Sequence, residues 1–226
     1  MRPENHECGE RGLSDDIVFH EPGTLENETC PEGAQTSVPD LHERIVRHCA
    51  PTLAGLKCGS MFRVNSDPHG ILTQVSELEY ELSHRGLRLD ALVVDEEGCL
   101  LYVYRPKLLE ARLADPEVRD FLSCYGYAAR SCSSTLAELF DRFAHCPTVP
   151  PEVGVFLDYP MEDVRGYIEN EGRCSRCIGC WKVYGDVEAA EKRFNCYKRC
   201  RDVFSKRLAE GLSLIHISEP TRLALI

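Results

Sequence analysis

Five cysteines have the types and the spacing to do chemistry: Cys174, Cys177, Cys180, Cys196 and Cys200. The first three recur at every third residue in "RCSRCIGCWKVYGD", residues 173–186. Cys177-x2-Cys180, fifteen intervening residues and Cys196-x3-Cys200 come close to the two-pair spacing of zinc sites, where thiolates close a tetrahedron around the ion. The triplet also resembles the run that holds an iron–sulfur cluster, although no fourth cysteine and proline follow at the usual place. Cys177 and Cys180 alone form a Cys-x-x-Cys redox pair, yet they precede a strand instead of opening a helix. The competing reading is that all five are small, soft residues filling a partly buried loop and helix.

A shared metal requires the turn before Trp181 and the middle of the last helix to be neighbours. A strand from Cys180 through Gly185 advances roughly 16 Å at about 3.3 Å per residue. A helix from Asp186 to Cys196 returns roughly 15 Å at about 1.5 Å per residue. Packed back along the strand, that helix brings Cys180 and Cys196 level, and Cys196 and Cys200 share a face. Against this, the apolar stripe of the helix is Val187, Ala190, Phe194, Tyr197, Phe204 and Leu208. At about 100° per residue, Cys200 lies on its edge and Cys196 roughly 120° from its centre.

Other groups carry weaker signals. His48 and Cys49 could pair as base and nucleophile, but adjacent helical residues point in different directions. Lys57 and Cys58 beside Gly59-Ser60 have the flavour of a phosphate loop without its full Gly-x4-Gly-Lys pattern. Asp158, Glu162 and Asp163 near Arg165 could form a carboxylate group, and helix N-terminal acids explain them equally well. Trp181, Tyr184 and Tyr167 read as core aromatics with polar tips. Lys182 alternates with Trp181 and Val183, facing solvent or a cleft. Cys99, Cys124, Cys132 and Cys146 are isolated and read as structural.

The elements that must position these groups follow from periodicity and punctuation. Asp40 suits the N-cap of a helix over "LHERIVRHCA", which Pro51 interrupts before a second short helix. "SMFRV" reads as a strand. Ile71, Val75, Leu78 and Leu82 make an amphipathic helix that Gly86 ends. "LRLDALVVDEEGCLLYVYRP" reads as a hairpin around Asp95–Gly98, ended by Arg105-Pro106. Residues 107–114, 116–125 and 133–145 read as helices. "EVGVFLDYP" reads as a buried strand, Pro160 opens a helix, "WKVYG" is a strand, and Asp186 caps a last helix over about 187–209. This order predicts an α+β domain, with mixed α/β as the variant, built on a single sheet of about four to five strands packed by helices.

Composition sets the remaining bounds. The chain has 226 residues, 13 cysteines and a net charge of −11. Residues 1–40 hold ten acids and two bases, so the other 186 carry only −3. That near-balance gives no electrostatic footprint for nucleic acid and no attraction to anionic lipid. No apolar run approaches the roughly 20 residues of a membrane span, and "MRPENHECGERGLSDD" lacks a secretory h-region. The expectation is a bacterial cytoplasmic protein whose thiols stay reduced. Residues 1–38, acidic and poor in large apolar groups, read as a disordered leader, and 39–211 as one globular domain. Residues 212–222, "LSLIHISEPTR", match a translated tagmentation adapter codon for codon. The expectation is therefore that 212–226 is a non-native tail from a metagenomic read that runs off near Gly211.

Four stretches, "CAPTLAGLKCGSMF" (49–62), "LLYVYRP" (100–106), "VGVFLDYPMEDVRGYIEN" (153–170) and "GCWKVYGDVEAAEKRFNCYKRC" (179–200), together resemble a family of anaerobic gut bacteria, the domain of unknown function three-seven-nine-three. The resemblance covers about residues 40–210 and implies no activity, substrate or catalytic residue. Three functional readings follow. One is a thiol-rich protein binding zinc or an iron–sulfur cluster, or acting in redox chemistry. The second is a small-molecule enzyme with a cleft lined by Tyr159-Pro160 and Trp181–Tyr184. The third is a protein-interaction module without chemistry.

Overall fold

The computed structural model describes residues 40–128, 131–146, 148–212 and 214. The leader read over 1–38 and most of the adapter-like tail lie outside the described residues. The protein is α+β: among the described residues, seven α-helices accompany a three-stranded sheet and a two-stranded one. In chain order these are α1 (Leu41–Leu53), β1 (Gly59–Val64), α2 (Pro68–Ser83), β2 (Arg88–Asp95), β3 (Gly98–Tyr104), α3 (Pro106–Ala114), α4 (Pro116–Cys124) and α5 (Cys132–His145). A 3-10 turn (Pro151–Val155), α6 (Met161–Glu169), β4 (Cys177–Ile178), β5 (Lys182–Val183) and α7 (Val187–Ala209) follow.

The main sheet is antiparallel in the order β1-β3-β2. Helices cover both of its faces, which is why "CLLYVY" is a continuous apolar run and not an alternation. Phe62, Val64, Cys99, Leu101 and Val103 face one core with α1, α2, Cys200 and Phe204. Leu214, inside the adapter-like stretch, is buried in that same core. Met61, Tyr102 and Tyr104 face a second core with α3 to α6. A bulge between Ala91 and Val93 breaks the alternation, so that Val93 joins Leu92 on the second face. Gly98 closes the hairpin at φ 148°, where a Cβ would strike the Val64 carbonyl.

Three readings of the chain are corrected here. "EVGVFLDYP" is not a strand but a 3-10 turn ending in Asp158 at φ 61°. A short apolar run is buried equally well in either conformation, so burial did not discriminate. Its Phe156 carbonyl finds side-chain donors instead of a ladder: the Tyr102 hydroxyl at 2.9 Å and the Cys58 thiol at 3.5 Å. The "WKVYG" strand pairs only with its own neighbour, Cys177 opposite Val183, so the expected single sheet is divided in two. Pro51 also does not break the first helix; it sits in the last turn of α1. The end of that turn is satisfied by Arg105, whose guanidinium donates to the carbonyls of Thr52 at 2.8 Å and Leu53 at 2.5 Å, and to that of Arg85 beyond α2.

The β4–β5 hairpin has little ladder of its own and is held by Asp163. This buried carboxylate, 3% exposed, accepts from Trp181 Nε1 at 2.7 Å, Tyr184 N at 2.7 Å and Gly185 N at 2.9 Å. Glu162 accepts from Asp186 N at 3.2 Å, fixing the start of α7, which Asp186 itself caps through Ala189 N. Asp163→Asn puts an amide donor among three N–H donors and is expected to cost about 2–3 kcal/mol in urea unfolding. Trp181 is the only tryptophan, so its emission reports this locus directly. An unchanged midpoint and spectrum in the variant would refute the role assigned to Asp163.

Candidate functional site

A cavity of about 290 Å³ opens where α1, β1, the turn after Val155, the β4–β5 hairpin and α7 meet. That is near the lower end of small-molecule pockets, roughly 300–1,000 Å³. The middle and last turn of α1 supply Arg47, His48 and Pro51, the approach to β1 supplies Lys57, and β1 itself supplies Ser60 and Met61. Leu157 and Tyr159 come from the turn, and Cys180 from the hairpin tip. Phe194, Tyr197, Lys198 and Arg201 of α7 recur at i, i+3, i+4 and i+7 and so present one helix face to the cavity, flanked by Asn195. α7 is brought against α1 by Cys200, whose thiol donates to the Ala50 carbonyl at 3.4 Å, and by buried Phe204.

The wall is electropositive. Arg47, Lys57, Lys198 and Arg201 line it, and among the described residues no aspartate or glutamate does, in a chain of net charge −11. His48 registers the same field. Burial, then Arg44, Arg47 and Arg201, lower its pKa from 6.5 to about 4. Its ring stacks on Phe62 with centroids 5.1 Å apart and planes within 9°. The Lys57 ammonium lies 5.4 Å from the Tyr159 ring centroid and 5.9 Å from that of Tyr197, and burial lowers its pKa. Asp158, the carboxylate in electrostatic reach of Lys57, accepts from Cys58 N at 3.2 Å and pairs with Arg112 at 3.8 Å. Burial pushes both phenols, Tyr159 and Tyr197, well up, so they are neutral at ordinary pH.

The thiols are placed as follows. The hairpin tip and the middle of α7 are neighbours: Trp181 and Phe194 rings meet edge to face at 4.5 Å, and a Cβ on Gly179 would collide with the Phe194 ring. Cys180 and Cys196 both act on the Tyr197 hydroxyl. Cys174 is exposed, at φ 57°. Cys177 is half-buried in β4, and Cys200 is buried against α1, where burial pushes its thiol up to about 12. Among the described residues, no three His, Cys, Asp or Glu side chains come together to hold a metal ion.

Several other candidates have structural duties. Cys49 is buried in the first core. Lys182 donates to the Gly172 carbonyl at 3.0 Å and packs on Tyr167, turned away from the cavity. Of the acidic group, Asp163 and Glu162 hold the hairpin while Arg165 pairs with Glu117 at 3.2 Å. Arg47, Lys198 and Arg201 were not singled out from the sequence. Their signal was the i, i+3, i+4, i+7 spacing of Phe194, Tyr197, Lys198 and Arg201, masked by a charge run of the kind that solvated helix faces carry.

Fold and site together define a small α+β protein with a basic, aromatic-walled cavity. The chain belongs to the family described as "Protein of unknown function (DUF3793)", whose model matches residues 45–218 and so contains every residue lining the cavity. No curated protein and no solved structure gives a significant match. Among the described residues, no helix is long and apolar enough to cross a membrane.

The depressed His48 pKa carries a stability consequence of definite sign. The unfolded chain binds this proton near 6.5 and the folded chain only near 4, so stability is present at neutral pH and lost as pH falls through that window. Between about pH 7 and about pH 5 the wild type is expected to lose about 2 kcal/mol more than His48→Gln in urea unfolding. Parallel losses in the two proteins would contradict the assignment.

Proposed function

We propose that the protein binds a small organic anion in this cavity, with a carboxylate or phosphate among the cations of α1 and α7 and an apolar or planar part against the aromatic rings. The observation that carries this reading is the wall itself. Arg47, which also pairs with Glu43 at 3.5 Å, converges with Lys198 and Arg201 beside the buried amine of Lys57, with no lining carboxylate among the described residues, in a chain that is acidic overall. Basic side chains gathered at one cavity mouth set up a field that favours an anion there. Tyr159, Phe194 and Tyr197 add the apolar surface typical of pockets for small organic molecules. Of the three readings of the sequence, this one continues the cleft beside Tyr159, displaced from Lys182 toward Lys57. The thiol reading has no comparable support, because Cys200 is committed to α1 and no ligating trio forms among the described residues.

His48 is a built-in reporter. Titrated by NMR with inorganic phosphate at constant ionic strength, its pKa is expected to rise from about 4 as the anion offsets the neighbouring arginines. The paired substitution Lys198→Gln and Arg201→Gln is expected to weaken that response at least about tenfold. A His48 resonance indifferent to phosphate, while chloride controls behave identically, would defeat the proposal.

A further inference from the structure

Resting on the reading of the cavity as an anion pocket, we propose that Lys57 is its nucleophile, and that the bound anions are small aldehydes or ketones bearing a carboxylate or phosphate, which Lys57 captures as an imine. The geometry supplies the three things this chemistry needs. The amine lines the cavity beside Tyr159 and Tyr197. The anion seat is on other residues, Lys198 and Arg201 of α7 and Arg47 of α1, so it leaves the amine free to attack the far end of the ligand. The neighbouring carboxylate that would hold the amine as an ammonium is engaged elsewhere, Asp158 with Arg112 and the Cys58 amide.

The charges acting on Nζ are Cys58, its neighbour in the chain before β1, Cys180 from the hairpin, Cys49 from α1 and Asp158 from the turn, and each favours the charged form. Burial outweighs them and lowers the Lys57 pKa, which raises the fraction of free amine.

The step balances without any other reactant. The Nζ lone pair attacks the carbonyl carbon, a C–N bond forms, and the C=O π pair moves to oxygen. One N–H proton passes to that oxygen, giving a carbinolamine. Loss of the second N–H proton with the hydroxyl releases water and leaves C=N. Nothing is oxidised or reduced, and hydrolysis reverses the step.

The chain has six lysines, so site mapping is tractable. Whole protein is incubated with pyridoxal 5'-phosphate or with unphosphorylated pyridoxal, reduced with cyanoborohydride, digested and mapped by mass spectrometry. The His48 resonance is followed in parallel. The expected result is label on Lys57 at least about tenfold faster than on Lys198 or any other lysine, with the phosphorylated aldehyde preferred. Lys57→Arg abolishes the fast label. The paired Lys198→Gln and Arg201→Gln substitution keeps Lys57 reactive but removes the preference for phosphate. Label spread evenly over the lysines, or absent from Lys57 while His48 still answers the phosphate, overturns the imine and leaves the anion pocket standing. Silence in both readouts overturns both. Should Lys57→Arg not fold, the wild-type map alone decides.

Discussion

Three N–H groups turned onto one buried carboxylate hold the working half of this molecule together. The segment from Trp181 to Gly185 makes only a two-residue ladder, so its indole and amide donors would be orphaned in a dry interior without Asp163. Close approach is possible because Gly166, three residues further along the same face of α6, has no Cβ to strike Tyr184. The carboxylate therefore places Trp181, and Trp181 places the rest. Its ring stacks on Tyr159 at 5.0 Å and meets Phe194 edge-on at 4.5 Å, which sets one wall of the cavity and the height of α7.

The basic wall is a product of packing and not of any local run. Arg44, Arg47 and His48 lie in the first half and middle of α1, and Lys198 and Arg201 lie in the middle of α7, about 150 residues later. Cys200 and Phe204 seat α7 on α1, and the flanking cations are thereby turned toward one another across the gap. Packing of this kind costs electrostatic energy wherever cations face each other. His48 lies in that field: burial is the main cause that lowers its pKa, and three arginines add to it. The proposed anion binding rests on that excess of basic over acidic lining.

Much of the fold was legible because local signals agreed with the tertiary outcome. Asp40 and Asp186 cap the helices their positions indicate, and the Ile71, Val75, Leu78, Leu82 stripe is the buried side of α2. The hairpin around Asp95–Gly98 forms where acid and glycine mark it, with the Asp95 side chain accepting from Glu97 N and Gly98 N. What was not legible depends on partners distant in sequence. The apolar run from Val153 to Leu157 looks the same as a strand or as a 3-10 turn until Tyr102 and Cys58 claim the Phe156 carbonyl. Arg105 reads as the end of a strand and is instead the donor that closes two helix ends. The adjacency of the hairpin tip and α7 followed from strand and helix rise alone. The direction each sulfur takes did not, because it depends on how α7 rolls against α1.

Adjacent residues show why the many cysteines drew attention away from the amine. Burial penalises the charged form of any group. For Cys58 the charged form is the reactive thiolate, so burial, aided by Asp158, pushes its pKa up to about 12 and leaves the thiol a donor to the Phe156 carbonyl. For Lys57, one residue earlier, the reactive form is the neutral amine, so the same burial favours it. Cys200 follows Cys58, at about 12. Desolvation thus disarms these two buried thiols and arms the one lysine whose ammonium is enclosed by aromatic rings at the cavity wall. The cysteine spacing catches the eye in the sequence, but in the folded protein it is the amine that combines access to the cavity, a pKa lowered by burial and, on the proposed reading, a neighbouring seat for an anion.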